Sequence, residues 1–342
     1  MNRLPTWRTP PAALLAVPND GTHDMLDDDA SRSVEPLSAE ASNPEPAETL
    51  TENSTNAPAA QKKRGVLRRL TGRLSVLGLI GFAIVVFWLC IAFIGPLVAP
   101  YKGGALTSTE IFAGWSAANP LGTDYLGRDM LSRVLYGTRY TVGLALASAV
   151  LASGIGTFFG LLAAVAGRWV DEILSRLFDA LISIPGKVLA LVVIAAFGSS
   201  IPMLTMVAAL AYIPGAFRIS RSLAVNLMTL EYVQVAKARG EGLFYIARVE
   251  VLPNMIHPML ADFGLRFVFI VLLLSGLSFL GLGVQPPDAD WGSLVRENIG
   301  GLAEGASAVL MPAIAIATLT IGVNLLIDSL RRHGGRGQGA GQ

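Results

Sequence analysis

Charged side chains at short spacings are the residues of this sequence best placed to do chemistry, and their pattern favours ion pairing. Asp262 and Arg266 lie four residues apart in an apolar stretch, so a helix would place them side by side. We interpret this pair as structural rather than as a substrate contact. Asp124, Arg128 and Asp129 could pair locally or face a docking protein, and we favour local pairing.

The sequence lacks the common motifs of catalysis, phosphate binding and metal binding. It contains no G-x-x-x-x-G-K-[ST] loop, so the chain is not expected to bind ATP itself. It contains neither G-x-S-x-G nor H-E-x-x-H. Cys90 is the single cysteine, and the three histidines are scattered without ligand spacing. We therefore expect no catalytic residue, no metal site and no cofactor in this chain.

The composition is that of an integral membrane protein. Of the 342 residues, 52% are hydrophobic and 15% are charged, whereas a soluble domain carries roughly 25% charged residues. Hydropathy predicts an all-α fold with six membrane-spanning helices. We place these near residues 74–98, 140–166, 177–197, 203–217, 259–283 and 306–328. The fourth span is short, and Pro214 is expected to break it.

Small residues mark one face of the second predicted span. Ala152, Gly156 and Gly160 follow one another at four-residue intervals, the spacing that lets two helices approach closely in a membrane. We interpret this face as a packing surface inside the bundle rather than as a dimer motif.

The two ends of the chain differ from its centre. Residues 1–60 carry ten acidic residues against three arginines and few aromatic residues, which predicts a disordered acidic tail. Residues 61–73 are basic and predict a juxtamembrane anchor, and residues 331–342 form a second basic, glycine-rich tail. The acidic tail could also serve as a binding arm.

The distribution of charge predicts the orientation of the chain. Cations gather in the loops on the side of the basic anchor, and acids gather on the other side. Because cytoplasmic loops carry an excess of lysine and arginine, both termini are expected in the cytoplasm. This places residues 99–139 and 284–305 outside and residues 218–258 inside.

The most informative cytoplasmic stretch lies between the fourth and fifth predicted spans. Residues 231–240 predict a short helix that Gly240 ends. A second amphipathic stretch follows, and Pro253 is expected to break it before the next span. A short helix outside the membrane could dock in a groove on a soluble partner and transmit the motion of that partner to the spans.

This stretch resembles the EAA loop of bacterial ABC importer permeases, which reads E-A-A-x-x-x-G and is followed at a fixed distance by L-P. Gln234 and Val235 stand where that family usually has Glu and Ala. The resemblance assigns these residues to an ATPase-coupling loop: Glu231, Tyr232, Gln234, Ala236, Ala238, Gly240, Leu252, Pro253 and Asn254.

Two further stretches resemble the periplasmic signature of DppC/OppC-type permeases of dipeptide, oligopeptide and nickel importers. The first is N-P-L-G-T-D at 119–124 with G-R-D at 127–129, and the second is L-S-F-L-G-L-G-V-Q-P-P at 277–287. The signature residues are Asn119, Pro120, Gly122, Thr123, Asp124, Gly127, Arg128, Asp129, Pro286, Pro287 and Trp291. From the residues alone, the two prolines are expected to end a helix at the outer interface, where Trp291 would join the aromatic belt.

The resemblance covers roughly residues 65–330 and implies a type I ABC importer permease with the MetI-like fold in a bacterial inner membrane. It implies a DppB-like second permease, two cytoplasmic ATPases that hold ATP and Mg²⁺, and a periplasmic binding protein as partners, with membrane lipid and no nucleic acid. Dipeptides, longer peptides, metal chelates and opines remain open as substrates. The alternatives are an ion-coupled secondary transporter and a membrane scaffold that uses the acidic tail as its binding arm.

Overall fold

The computed structural model describes residues 75–303 and 307–334, and the side chains of the last helix through Arg331. The predicted tail of 1–60 and the basic anchor of 61–73 lie outside the described residues. So does most of the predicted tail of 331–342, except that residues 331–334 continue the last helix. Apart from two isolated β-bridges, the regular secondary structure of the described residues is helical.

Nine helices of seven or more residues follow one another in the described part of the chain. They are α1 (Val76–Val98), α2 (Met130–Val165), α3 (Arg168–Ile182), α4 (Gly186–Phe197), α5 (Ile201–Met228), α6 (Glu231–Ala238), α7 (Leu252–Phe279), α8 (Trp291–Glu297) and α9 (Ser307–Gly334). One α-helical turn, Leu243–Tyr245, and a π-helix, Ile246–Val251, lead directly into α7. A 3₁₀ helix, Ile299–Leu302, follows α8.

Five helices in the described residues are long and apolar enough to cross a bilayer. They are α1, α2, α5, the continuous helix Leu243–Phe279 and α9, and the bent pair of α3 and α4 brings the number to as many as six. The predicted all-α membrane fold is therefore confirmed.

The third predicted span, 177–197, is wrong as a single helix. Instead α3 and α4 meet at an angle of 78° across residues 183–185. Pro185 explains the break, because proline lacks a backbone N–H and restricts the residue before it to extended conformations. The twelve residues of α4 alone extend about 18 Å, which is shorter than the roughly 30 Å hydrocarbon core.

The second span begins earlier than predicted. Helix α2 starts at Met130 rather than near 140, because the Asp129 carboxylate accepts a hydrogen bond from the backbone N–H of Ser132 and caps the helix. Residues 130–139 of the predicted loop 99–139 therefore form the first turns of α2, while the side of the membrane on which this loop lies stays a prediction.

Two prolines that were expected to break helices lie inside continuous ones. Helix α5 passes through the buried Pro214 and ends only at Met228, so the predicted coupling loop of 218–258 begins inside a helix. Pro253 lies in the first turn of α7, which continues the preceding π-helix without a break. The wider π-helical turn makes room for the proline ring, which would clash with a carbonyl of a regular α-helix.

The contact between α2 and α5 is the most extensive between two helices in the structure. Gly156 and Gly160 of α2 lie directly against Ala216, Phe217 and Ser220 of α5. The small-residue face thus packs within the bundle, as the sequence predicted. Helices α1 and α9 also approach closely, because Gly81 faces the backbone of Gly322.

We predict that Gly156→Ala lowers the stability of the protein by about 1–3 kcal/mol. The added methyl group would overlap the Ala216 side chain and lie 2.8 Å from the Phe217 backbone nitrogen, so α2 and α5 would have to separate. The midpoint of thermal unfolding in detergent measures the effect. Gly154→Ala is the matched control, because its methyl group would meet open space. Equal midpoints for the two variants would contradict the close packing of α2 and α5.

Candidate functional site

The end of the described bundle at which α2 begins is organised around the buried carboxylate of Asp124. One oxygen accepts the backbone N–H groups of Leu126 and Arg128, at 2.9 and 2.8 Å. The other oxygen accepts Nε of Arg128 at 2.6 Å and Nη1 of Arg133 at 2.7 Å. The predicted pairing of Asp124 with Arg128 is therefore confirmed, and Arg133 is a partner that sequence reasoning missed.

Glu297 at the end of α8 closes this network from the other side. Its Oε2 lies 3.1 Å from Nη1 of Arg133 and 3.4 Å from Nη2 of Arg128. Two arginines and two carboxylates thus balance in charge while both arginines and Asp124 are buried. A buried ion pair is stable only if each charge has an opposite charge beside it and its hydrogen bonds are formed. We call these four residues, Asp124, Arg128, Arg133 and Glu297, the Asp124 ion cluster.

Tight turns of the segment between α1 and α2 position this cluster. Gly122 and Gly127 adopt φ values of +74° and +77°, which side chains rarely tolerate. A Cβ atom at either glycine would also collide with a backbone carbonyl. The Thr123 hydroxyl donates to the carbonyl of Glu110 at 3.0 Å and accepts the Ala113 N–H at 2.8 Å.

Other signature residues brace the same segment. Asn119 is buried, and its side-chain amide forms a hydrogen bond of 3.1 Å with the Thr107 hydroxyl. Pro120, the next residue, is half-buried. The Asp129 carboxylate caps α2 and accepts the Ser132 hydroxyl at 2.6 Å. These residues act as structural braces in this conformation.

Trp291 was expected in the lipid-facing aromatic belt, and this prediction is wrong. Its side chain is fully buried, and Nε1 donates to the carbonyl of Val134 at 3.2 Å. Its backbone N–H donates to the Thr141 hydroxyl at 3.0 Å, and Gly137 leaves room for its ring. The preceding Asp290 caps α8 and directs the tryptophan inward against α2.

Pro286 and Pro287 do not end a helix, contrary to the prediction. Helix α7 already ends at Phe279, and Gly281 follows with a φ of +87°. Such a glycine commonly terminates a helix. The two prolines lie in the exposed loop between α7 and α8.

Asp290 was not singled out from the sequence. Its carboxylate accepts the Ser278 hydroxyl and the Ser293 N–H, the latter at 2.8 Å. Burial raises the pKa of this carboxyl above its usual range, and the hydrogen bonds from Ser278 and Ser293 oppose that rise. The carboxylate thereby links the end of α7 to the start of α8.

At the other end of α7, helix α6 and the helical turns after it form a compact arm. Val233 of α6 is buried with Ile246, Val251 and Met255, and Ala236 packs on the same side. Gly240 ends the helix with a φ of +82°, as the sequence predicted. Of these buried residues, Val233, Val251 and Met255 were not singled out from the sequence.

The polar residues of this arm hold its shape. The Asn254 amide donates to the Tyr232 hydroxyl at 3.2 Å and to the Glu250 carbonyl at 2.7 Å. The Gln234 amide donates to the Met228 carbonyl at 2.7 Å. The side of α6 opposite its buried face is open, and the assigned residues Glu231, Gln234 and Ala238 are exposed there. The structure therefore gathers most of the assigned residues on one arm, while their role in coupling stays a prediction.

Asp262 and Arg266 form the predicted pair inside α7. Arg266 donates from Nε to Oδ2 at 2.6 Å and from Nη2 to Oδ1 at 3.1 Å, and both side chains are buried. Its Nη1 also donates to the Tyr212 carbonyl of α5 at 3.0 Å. Helix α7 begins at Leu252, so the pair lies about ten residues from the start of the helix. It fastens α7 to α5.

These features define a multi-pass membrane protein with a helical arm at one end of its bundle and an ion cluster at the other. Residues 156–335 match the family model described as "Binding-protein-dependent transport system inner membrane component". This match and the relatives below show that the chain belongs to that family.

Curated relatives align with most of the chain. It is 31% identical over 255 residues to the dipeptide transport system permease protein DppC of Alkalihalophilus pseudofirmus. This alignment covers 75% of the present chain and 84% of the relative. It is 33% identical over 248 residues to the glutathione transport system permease protein GsiD of Pectobacterium atrosepticum, covering 72% and 82%. It is 31% identical over 260 residues to the di/tripeptide transport system permease protein DppC of Pseudomonas aeruginosa, covering 74% and 85%. The chain is therefore a transport permease component rather than an enzyme.

We predict that Arg133→Ala destabilises the protein by about 3–5 kcal/mol, because it leaves two buried carboxylates short of a partner. Thermal unfolding in detergent measures the loss. Arg139→Ala is the matched control on the same helix, because Arg139 is exposed, and it should change stability by less than about 0.5 kcal/mol. An unfolding midpoint of Arg133→Ala equal to that of the wild type would contradict the structural role of the Asp124 ion cluster.

Proposed function

We propose that this chain is one permease subunit of an ATP-driven importer, which moves peptides or similar small solutes into the cytoplasm. Membership of the family of binding-protein-dependent inner membrane components supports this function. Relatives named for dipeptide, di/tripeptide and glutathione transport support a small peptide or peptide-like molecule as the substrate.

The proposed machine has four kinds of subunit. This chain pairs with a DppB-like second permease, two cytoplasmic ATPases bind ATP and Mg²⁺, and a periplasmic binding protein delivers the substrate. The chain itself needs no cofactor. An open apolar groove of about 450 Å³ lies between α2 and α7, lined in part by Phe158, Met259 and Phe263, and we assign it to the second permease.

The observation that carries the proposal is the construction of the α6 arm. Helix α6 lies outside the membrane-spanning helices. One side of α6 packs against neighbouring segments, and the residues on its other side are exposed. It follows α5 after two residues, and it packs against the helical turns that lead into α7. A partner that pushes on α6 therefore moves two spans at once. ATP binding and release on the ATPases would switch the bundle between two states with different substrate affinity.

The proposed orientation places α6 and both termini in the cytoplasm. Arg218, Arg221, Lys237, Arg239 and Arg248 lie along the end of α5 and the α6 arm. Residues 284–305 instead hold mostly carboxylates, with Asp288, Asp290, Glu297 and Glu304 against Arg296. This asymmetry follows the excess of cations on the cytoplasmic side of membrane proteins.

An ion-coupled carrier has less support. Such a carrier uses an intramembrane carboxylate that is free to exchange an ion. Asp262 is the acidic side chain inside the described α7, and both of its oxygens accept hydrogen bonds from Arg266.

Affinity purification of the tagged chain from membranes of its native host tests the proposal. Mass spectrometry should identify an ATPase with a phosphate-binding loop and a second multi-span permease. Recovery of the chain alone, under conditions that preserve a known importer, would overturn the importer assignment.

We predict that Gly240→Val uncouples the machine without preventing its insertion into the membrane. A valine at the φ of +82° costs about 1–2 kcal/mol, so the end of α6 would change its conformation. Uptake of a labelled dipeptide and recovery of the ATPase with the tagged chain should both fall, while the amount of chain in the membrane stays constant. If the substrate is another solute, ATPase recovery alone decides the outcome.

Gly242→Val is the matched control for that experiment. Gly242 has a φ of −70°, which valine adopts readily, and a Cβ atom at either glycine meets open space. The two variants therefore differ in backbone conformation rather than in crowding. Normal ATPase recovery with Gly240→Val would refute the role of the α6 arm.

A further inference from the structure

The surface of helix α3 consists of three sectors that run along the helix axis. The first sector is turned toward the bundle, where Phe178 packs on Phe159 and Phe217. The second sector is exposed and carries charges of both signs, namely Arg168, Glu172, Arg176 and Asp179. The third sector is exposed and apolar: Trp169, Ile173 and Leu177 are 81%, 64% and 54% exposed. We call this third sector the apolar stripe.

Ion pairs fix the rotation of α3 about its axis. Asp171 accepts both Nε and Nη2 of Arg221, the latter at 2.6 Å from Oδ2, and Asp179 accepts Nη2 of Arg218 at 2.5 Å. Both arginines belong to α5, close to the point where α5 leads into α6. The apolar stripe is therefore held outward, at the same end of the bundle as the α6 arm.

The bend between α3 and α4 places the stripe beside a second exposed apolar surface. Helix α4 is apolar after Lys187 in its first turn, and its exposed side includes Val188 and Val192. Ile182 and Ile184 continue this exposed apolar surface across the bend to α3. If α4 follows the bilayer normal, the 78° angle sets α3 close to the plane of the membrane surface.

We propose that the apolar stripe of α3 binds the lipid surface, with Trp169, Ile173 and Leu177 inserted at the boundary between headgroups and acyl chains. An amphipathic helix of this kind inserts its apolar face about 5–10 Å into that boundary. Tryptophan favours this depth because its ring is apolar and its N–H is polar. The adjoining sector of mixed charge suits zwitterionic headgroups, which offer both a phosphate and an amine.

This binding would set the depth of the α6 arm. Since α3 is ion-paired to α5 just before α6, the membrane surface would provide a fixed base against which the arm moves. The proposal rests on the proposed function only for naming the leaflet as cytoplasmic.

Spin labels on α3 test the proposal. Single cysteines replace Ile173 or Glu172 in a Cys90→Ala background, so that neighbouring residues report on the apolar stripe and on the charged sector. The labelled full chain, with the subunits that purify with it, is placed in nanodiscs of equal parts phosphatidylethanolamine and phosphatidylglycerol. Electron paramagnetic resonance then measures collisions with oxygen, which enters the bilayer, and with a water-soluble nickel chelate.

We expect the ratio of oxygen to nickel collisions to be several-fold higher at Ile173→Cys than at Glu172→Cys. Equal ratios would show that the stripe faces water and would overturn the proposal. Shielding from both reagents in the complex, but not in the chain alone, would show that a protein subunit covers the stripe, and would also overturn it.

Leu177→Cys provides a second reading of the stripe if Ile173→Cys fails to fold, as judged by its unfolding temperature in detergent. A low ratio at this position would count against lipid binding in the same way. The collision measurement requires neither ATP hydrolysis nor transport, so its failure is distinguishable from a failure of the importer assignment.

Discussion

The end of the permease at which α2 begins depends on one carboxylate that accepts four hydrogen bonds. Asp124 is fully buried, and its donors come from its own turn and from the start of α2. Through Arg133 it is joined to Glu297, which ends α8. Buried charges are costly unless they are paired and fully bonded, so the turn, α2 and α8 must keep one relative arrangement. That arrangement also forms the pocket that Trp291 fills.

The helix Leu243–Phe279 connects this end of the molecule with the other. Its 37 residues extend about 55 Å, enough to cross a bilayer and project beyond it. Near one end its turns pack against α6, and near the other Ser278 donates to Asp290 before α8. Arg266 fastens the same helix to α5. Under the proposed function, a displacement of the α6 arm would therefore pass along these fastened helices.

Local sequence patterns predicted the local features of this structure, but they did not reveal contacts between residues that are distant in sequence. The bounds of α1, the end of α6 at Gly240 and the Asp262–Arg266 pair each depend on residues within a few positions. Glu297 and the burial of Trp291 depend on contacts between α8 and α2, which no periodicity reveals. Hydropathy merged α3 and α4 because an averaged window does not detect a bend at Pro185. The coupling residues were assigned by resemblance, and their role remains a prediction.

The central claim is that the open side of α6 touches an ATPase, and a photo-crosslink tests it most directly. A photoreactive amino acid would replace Lys237, which is exposed on α6, and cells of the native host would be illuminated. The account predicts an adduct between this chain and a soluble subunit with a phosphate-binding loop. The same residue placed at Glu172 on α3 should not give that adduct. Adducts with membrane subunits alone, from a chain that inserts normally, would contradict the account.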